Sequence, residues 1–198
     1  GVYPDEARAN DFGLVWERKR DQVIRDKEID DLILEGETPC VDFKRELYLG
    51  NAGEKAEFIK DIIALANTQA EGRRWLIVGI DDKTRELYEP QVAPDRGYWH
   101  TQLSQNKIEH ILSAYVAPYI EVRYELIEYR TGKVGKIEVL RNPAKVPYRV
   151  IKSLGDKKDK SRIEANQIFV RHGSQTVQPD EEELDSLYEE SGREKPSV

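Results

Sequence analysis

The sequence lacks several features that define common classes of protein. Its 198 residues contain one cysteine, Cys40, and no methionine, and the sequence leaves open whether the chain is a fragment of a larger protein. A single cysteine excludes an internal disulfide and a zinc cluster of cysteines, and it agrees with a reducing compartment, so we expect a cytoplasmic protein. No run approaches the roughly 18 apolar residues of a membrane span, and the first residues do not form a signal-peptide pattern. We therefore expect no membrane association.

Motifs of several enzyme classes are also missing. The sequence contains no G-x-x-x-x-G-K-[ST] phosphate loop, no G-x-G-x-x-G and no H-E-x-x-H. The three histidines are scattered, and Ser174 is not surrounded by the G-x-S-x-G pattern of a nucleophile elbow. Standard nucleotide-binding, zinc-protease and serine-hydrolase functions therefore have no motif support.

Charge is distributed unevenly along the chain. The net charge is −7, but residues 130–173 contain twelve Lys/Arg against four Asp/Glu, whereas residues 174–198 contain two against eight. A basic segment of this contrast could contact a polyanion while the rest of the protein stays acidic. Lysine-rich loops that are merely solvated explain the same composition, so composition leaves both interpretations open.

Hydrophobic periodicity predicts an α+β fold. Apolar spacing of three and four residues indicates helices, alternation indicates half-buried strands, and a continuous apolar run indicates a strand covered on both faces. We expect a single domain with a mixed, mostly antiparallel sheet and packed helices, in three segments: an N-terminal helical extension (1–27), the domain itself (28–190) and a flexible tail (191–198). The predicted elements are an amphipathic helix over 5–25, a short helix ending at Gly36, strand "CVDFK", helix "NAGEKAEFIKDIIALANT", central strand "RWLIVGIDD", a helix over 101–116, a hairpin with its turn at Thr131 and Gly132, short strands in "VPYRVIK" and "NQIFVRHG", and a C-terminal helix after Pro179.

Acidic residues at two strand ends suggest a metal site. Asp42 and Lys44 share one face of a predicted strand, Glu37 lies just before it, and Asp81 follows the buried strand. If the two strands are neighbours, three carboxylates and a lysine would meet at one sheet edge. Mg²⁺ and Mn²⁺ prefer oxygen ligands and can assist phosphodiester cleavage. Ordinary salt bridges of Asp42 and a polar turn at Asp81 explain the same residues, and spacing alone favours this simpler interpretation.

Five ordered blocks of sequence resemble the AlbA-type domain found in the Schlafen family and in many bacterial proteins. The blocks are "GETPCVDFKREL", "EFIKDIIALANT", "WLIVGIDD", "VPYRV" and "IFVRHGSQT", and the resemblance covers roughly residues 28–190. It implies an α+β domain with a role in nucleic-acid processing.

The resemblance also implies residue roles. Glu37, Asp42 and Asp81 would hold Mg²⁺ or Mn²⁺, with Lys44 beside them at the scissile phosphate. Asp42 replaces the more usual glutamate, and the usually glycine-rich stretch after "ALANT" is "QAEGRR", in which only Gly72 remains. Many domains of this type have no demonstrated catalysis, so membership does not establish nuclease activity.

Basic and aromatic residues supply candidate contacts to nucleic acid. Cations can follow a phosphate backbone, and an aromatic ring can stack on a base. For Arg171 in "RHGSQT", an internal ion pair, with Gly173 in a tight turn, is at least as good an explanation. The candidates are Arg73, Arg74, Tyr148, Arg149, Lys152, Lys157, Lys158, Lys160, Arg162 and Arg171.

Three functions follow from these observations. The first is a nucleic-acid-processing domain that acts as a divalent-metal-dependent endoribonuclease on structured RNA such as tRNA. The alternative is a non-catalytic DNA-, RNA- or nucleotide-binding regulatory module, in which the acids are paired internally. A protein-interaction domain, suggested by the acidic terminal helices, is third. The sequence leaves open RNA versus DNA, and whether the chain forms a homo-oligomer or works with a flanking partner domain.

Overall fold

A four-stranded sheet forms the centre of the molecule, and helices cover both of its faces. The computed structural model describes residues 6–88, 96–155 and 161–196, with side chains from residue 17 onward. The helices are α1 (Glu6–Glu35), α2 (Ala52–Asn67), α3 (Trp99–Gln102), α4 (Gln105–Tyr115) and α5 (Glu181–Ser191), with a 3₁₀ turn at Pro143–Lys145. The strands are β1 (Val41–Lys44), β2 (Arg74–Val78), β3 (Val116–Ala117), β4 (Glu121–Tyr129), β5 (Gly132–Leu140), β6 (Arg149–Val150), β7 (Val170–His172) and β8 (Gln175–Val177).

Strand pairing confirms the predicted mixed, mostly antiparallel architecture. The main sheet has the order β1-β2-β5-β4, in which β1 and β2 are parallel and the other pairs antiparallel. Two small antiparallel sheets, β3-β6 and β7-β8, complete the fold. The chain is thus a single α+β domain, as predicted.

The central strand is covered on both faces, as its continuous apolar run predicts. Leu76 and Val78 pack into the larger core with α2 and α4. Trp75 and Ile77 point to the opposite face, where they pack with Ile29 of α1. Alternation of side chains along β2 therefore divides the interior into two apolar layers.

The N-terminal helix is longer than predicted. One continuous helix, α1, replaces the two predicted helices, and the boundary expected between residues 27 and 28 falls inside it. Its C-terminal half docks on the sheet: Tyr129 Oη donates to Asp30 Oδ1 at 2.5 Å, and Lys136 Nζ lies 3.0 Å from Glu28 Oε1. The helix ends as predicted at Gly36, whose φ of 77° suits a glycine after a helix C-terminus.

Within the described residues, no helix combines the length and apolar character needed to cross a membrane.

Two predicted elements differ in detail. The helix expected over 101–116 is split, because Ser104 begins α4 by accepting a hydrogen bond from Lys107 N. The β4–β5 turn lies at Arg130 and Thr131 rather than at Thr131 and Gly132, since Tyr129 pairs with Gly132. These shifts of one or two residues come from local capping and register, which apolar periodicity does not define.

Burial along β4 also departs from simple alternation. Val122 is buried as predicted, but Leu126 is 40% exposed while Ile127 is buried. The cause is a change of covering element along the strand, because α4 contacts β4 on one face and α1 contacts it on the other. The predicted half-buried strand is therefore covered on different faces at its two ends.

Gly79 lies where α3 packs closely against the sheet. Its φ is 103°, and a Cβ there would lie 2.7 Å from Lys133 O and 2.9 Å from the Trp99 ring. Gly72 has a similar φ of 112° but no atom within 4 Å of its added Cβ. Gly72→Ala should cost about 1 to 2 kcal/mol from backbone strain, and Gly79→Ala should cost a further 1 to 3 kcal/mol, roughly, from overpacking. Urea denaturation of both variants measures the difference, and equal losses of stability would contradict tight packing of Trp99 against Gly79.

Candidate functional site

The parallel pairing of β1 and β2 meets the condition on which the predicted metal site depends. Asp42 lies opposite Leu76 and Lys44 opposite Val78, so both strands end at one edge of the sheet. Asp81 follows the end of β2 by three residues. The two strands are therefore neighbours, a condition that the sequence had left open.

Asp42 and Lys44 belong to a buried charge cluster that also contains Asp61 of α2 and Arg171 of β7. Both Asp42 and Lys44 point to the α2 side of β1. Lys44 Nζ lies 3.0 Å from Asp42 Oδ2 and 3.0 Å from Asp61 Oδ2, and Arg171 Nη1 lies 3.1 Å from Asp42 Oδ1. The side chains of Asp42 and Arg171 are 5% and 1% exposed. The Asp61 side chain is 8% exposed and that of Lys44 is 36% exposed, so two buried carboxylates are neutralised by one buried cation and one half-buried cation.

Burial and pairing compete in setting the pKa values of this buried charge cluster. Burial raises the pKa of Asp61 to about 6, against the opposing effect of Lys44, and nearby Asp42 adds to the rise. Burial alone would lower the pKa of Lys44, but Asp61 and Asp42 outweigh that effect and raise it above its ordinary value. Lys44 is therefore a fully charged ion-pair partner at neutral pH, which does not suit a general base.

Glu37 caps the free edge of β1. Its Oε1 accepts a long hydrogen bond of 3.4 Å from Phe43 N. Burial, and then the nearby Asp42 carboxylate, raise the pKa of Glu37, while the Phe43 N–H, Arg85 and Arg171 partly oppose this rise. Glu37 and Asp42 are therefore close enough to repel each other electrostatically.

Asp81 organises the turn that follows β2. Its Oδ1 accepts hydrogen bonds of 2.8 Å from both Lys83 N and Thr84 N, and its Oδ2 contacts Arg45 Nε. The hydrogen bond from Thr84 N contributes most to lowering the pKa of Asp81, with further contributions from Lys83 N and Arg45. The carboxylate is thus held in place by a turn.

The three proposed ligands do not converge as a set. In the described parts of the chain, no group of three or more His, Cys, Asp or Glu residues is arranged to hold a metal ion. Glu37 caps a strand edge, Asp42 is in two ion pairs and Asp81 caps a turn. These residues as placed do not fit a three-carboxylate Mg²⁺ or Mn²⁺ site, and the metal remains a prediction from the family resemblance.

Several predicted nucleic-acid contacts have structural roles instead. Arg74 is 8% exposed and donates hydrogen bonds to the carbonyls of Leu65, Thr68, Ala70 and Gly72, so it stabilises the loop between α2 and β2. Tyr148 is 1% exposed, which leaves no ring face for a base.

Among the remaining arginines, the internal ion pair considered for Arg171 is confirmed. Arg73 and Arg162 are paired with Glu138 and Glu164 at 2.8 and 3.0 Å. Lys157, Lys158 and Lys160 lie outside the described residues. The arginines that attracted attention in the sequence are therefore largely engaged within the protein.

A basic-aromatic patch remains on the surface, formed by Tyr115, Tyr119, Lys145, Arg149 and Lys152. Lys145 Nζ lies 5.8 Å from the Tyr119 ring centroid, and Lys152 Nζ lies 5.9 Å from that of Tyr115. Sequence reasoning found Arg149 and Lys152 but missed the other three. The basic composition of residues 130–173 was the available signal for Lys145, whereas the tyrosines come from the segment before β4 and meet the lysines only in the folded chain.

Local strand pairing fixes the geometry of this patch. Val116 and Val150 pair across β3 and β6 and are buried, so Ala117 and Arg149 point to the outer face. Ile151 N donates to Tyr115 O at 2.8 Å, which extends the pairing by one step. The patch is thus anchored on a buried valine pair.

Comparison with known proteins identifies the family. The family model described as Schlafen, AlbA_2 matches residues 37–180, which is more than half of the chain. The chain belongs to the Schlafen AlbA_2 family, and its function is accordingly related to nucleic acids. The comparison with curated proteins finds no match.

Among solved structures, the chain is similar to a crystal structure of the DIP2311 protein from Corynebacterium diphtheriae, with a TM-score of 0.49 and 18% sequence identity. The similarity covers 88% of this chain and 34% of that protein. The chain therefore spans about a third of the length of that protein.

The raised pKa of Asp61 predicts a specific dependence of stability on pH. Because the folded state holds this proton more tightly than the unfolded state, the stabilising contribution is full below the ordinary pKa of 3.8 and is lost as pH rises through about 6. Relative to Asp61→Asn, the free energy of unfolding of the wild type should fall between pH 4 and 6 by on the order of 1 to 3 kcal/mol.

Urea denaturation of both proteins across this pH range measures that difference. The Asp61→Asn substitution keeps the size of the side chain and one oxygen acceptor for Lys44, while its amide NH2 can donate to the Thr176 hydroxyl, which contacts the other carboxylate oxygen of Asp61. If the stability of the wild type relative to Asp61→Asn instead stays constant or increases with pH, ion pairing rather than burial determines the pKa of Asp61.

Proposed function

We propose that this chain is a nucleic-acid-binding module that holds a single strand on the basic-aromatic patch. The observation that carries the proposal is the placement of two lysines beside tyrosine rings without acidic partners among the described residues. Backbone phosphates require cations, and bases require exposed rings on which to stack. The patch supplies both within one surface.

The cations of the patch differ from several other cations of the domain, which are paired with acids. Arg45, Arg73 and Arg141 each form an ion pair with a carboxylate. In contrast, no acidic side chain in the described part of the chain lies within ion-pair distance of Lys145, Arg149 or Lys152. Cations without a partner release counterions when they meet phosphate, and this release drives binding of single strands.

The exposure of Tyr119 supports stacking, whereas Tyr115 is half-buried and packs against the core. Tyr119 is 47% exposed, and Ile151 beside the patch is 44% exposed. A tyrosine ring in this setting offers an apolar face at low conformational cost, and a stacked base contributes about 1 to 3 kcal/mol. Because ring faces accept any base, we expect weak sequence preference at this patch.

Binding to oligouridine tests the two parts of the patch separately. Lys152→Gln should reduce the slope of log affinity against log salt by about 0.7, since one phosphate contact is lost. Tyr119→Ala should weaken binding about tenfold with little change in that slope. Fluorescence anisotropy with labelled oligouridine and oligodeoxythymidine measures both quantities and separates RNA from DNA binding.

Lys19→Gln is the matched control, because Lys19 is an exposed lysine of α1 and the charge change is the same. Equal effects of Lys19→Gln and Lys152→Gln would remove the patch as the binding surface. Unchanged affinity in Tyr119→Ala would remove the stacking contribution.

A divalent-metal-dependent endoribonuclease that acts on structured RNA such as tRNA is the second candidate. It is favoured by the perturbed acidity of Glu37, because burial, and secondly the Asp42 carboxylate, raise the pKa of Glu37. Carboxyl groups with a pKa raised by burial and a charged neighbour are a common feature of catalytic sites. Against it stand the ion pairs of Asp42 and the turn that holds Asp81.

Cleavage of tRNA in the presence of Mn²⁺ tests this second function. For an endoribonuclease that uses the predicted acids, Glu37→Gln and Asp81→Asn should each slow cleavage at least about tenfold, while Asp82→Asn, at the adjacent aspartate, should not. The Asp81→Asn side chain would retain an oxygen for Lys83 N and Thr84 N, so the turn should persist. Equal cleavage by the wild type and both variants would eliminate the site.

A further inference from the structure

A pocket opens at the tip of the β4–β5 hairpin, at the opposite end from the basic-aromatic patch. Its volume is about 330 Å³, and its lining includes Tyr88, Tyr98, Trp99, His100, Glu128 and Lys133. This volume lies at the lower end of the range for small-molecule sites, about 300 to 1,000 Å³. Four of these six side chains are aromatic rings, which makes the pocket suited to a planar ligand.

The aromatic side of the pocket is a stacked series of rings. The Tyr98 and His100 rings lie 5.2 Å apart with an interplanar angle of 23°, and Trp99 meets His100 edge-on at 5.4 Å. Tyr98 is 45% exposed, so its ring remains accessible. Offset stacking of this kind is the arrangement that a further planar ring can extend.

Trp99 anchors this aromatic side to the core. It is 1% exposed, and its ring fills space that glycines leave open just after β2 and within β5. A Cβ at Gly79 or at Gly135 would lie 2.9 Å from the Trp99 ring. Because Trp99 is held this tightly, the residues on either side of it, Tyr98 and His100, are presented on a rigid support.

The opposite side of the pocket carries one charge pair. Glu128 and Lys133 are directly opposite each other in the β4–β5 pairing, and Lys133 Nζ contacts Glu128 Oε1. Their side chains are 67% and 37% exposed, so both can exchange this contact for a ligand. A carboxylate offers two acceptor oxygens, and an ammonium offers donors for phosphate.

We infer that this pocket binds a guanine base, stacked on Tyr98 and His100 with its Watson–Crick edge on Glu128. Guanine presents two adjacent donors, N1–H and N2–H, which match the two oxygens of a carboxylate. The Watson–Crick edges of uracil and adenine each present only one donor group beside an acceptor, so Glu128 should discriminate against both. Lys133, released from Glu128, would then contact the attached phosphate.

The state of His100 agrees with this arrangement. Burial, and secondly the nearby Lys133, lower the pKa of His100, so its ring is neutral at physiological pH. The guanine base could come from either of two sources. If it belongs to a guanosine within the bound single strand, the inference rests on the proposed function. A free guanine nucleotide has the same recognition chemistry and is the other source.

Two probes distinguish these sources. Isothermal titration with guanosine, adenosine and uridine monophosphates tests free nucleotides, and anisotropy with oligouridine that carries one guanosine tests a base within a strand. We expect a guanine preference that Glu128→Gln removes, and about tenfold weaker guanine binding in Tyr98→Ala. Glu121→Gln, at an exposed glutamate at the other end of β4 with the same charge change, should retain the preference.

The outcomes separate this inference from the proposed function. A guanine preference with either probe, lost in Tyr98→Ala and Glu128→Gln, supports the pocket and identifies the source. No preference with both probes, or a preference that both variants retain, overturns the inference. If Tyr119→Ala still weakens binding of plain oligouridine in that case, the basic-aromatic patch stands by itself. Circular dichroism melts of all variants establish that they are folded.

Discussion

A cluster of four charges, three of them buried and the fourth the half-buried Lys44, holds the edge strand of the sheet to the rest of the domain. The buried charge cluster joins β1, through Asp42 and Lys44, to Asp61 on α2 and to Arg171 on β7. Removing an ion from water costs several kcal/mol, and a buried ion that loses its partner destabilises a protein by about 3 to 5 kcal/mol. The four groups are therefore tolerated only as a set, and the set exists only when β1, α2 and β7 are docked together.

This constraint decides which charges remain available for function. The acidic residues that the sequence suggests as metal ligands form hydrogen bonds and ion pairs within the domain. The same is true of Arg74 and Arg171, which were candidates for contacts to nucleic acid. Lys152, beside Tyr115, is among the candidates from the sequence, whereas Lys145, beside Tyr119, is not, and no carboxylate in the described part of the chain neutralises either lysine. Residue type alone thus points to the wrong charges, because the folded environment determines whether a charge is compensated.

The sequence predicted best what local physics controls. The bounds of α2, the covered strand β2, the left-handed glycine after α1 and the acidic start of α5 all follow from periodicity or capping. Asp61 was not singled out in the sequence, where it follows Lys60 in a helix that also contains Glu54 and Glu57. Its partners could not be predicted, since Lys44 and Asp42 approach it only when β1 lies across α2. The covering of β4 on two faces and the meeting of Lys145 with Tyr119 likewise depend on contacts between distant segments.

The β4–β5 hairpin relates the two surfaces assigned to nucleic acid. The basic-aromatic patch adjoins the end where β4 begins and β5 finishes, and the guanine pocket lies at the turn. A nine-residue strand spans roughly 27 Å at about 3.4 Å per residue. At a stacked rise of about 3.4 Å per nucleotide, that length corresponds to about eight nucleotides.

Small single-stranded sites engage roughly 4 to 16 nucleotides, so one strand can reach both surfaces. The patch would then supply affinity without sequence preference, and the pocket would set the register by selecting one base.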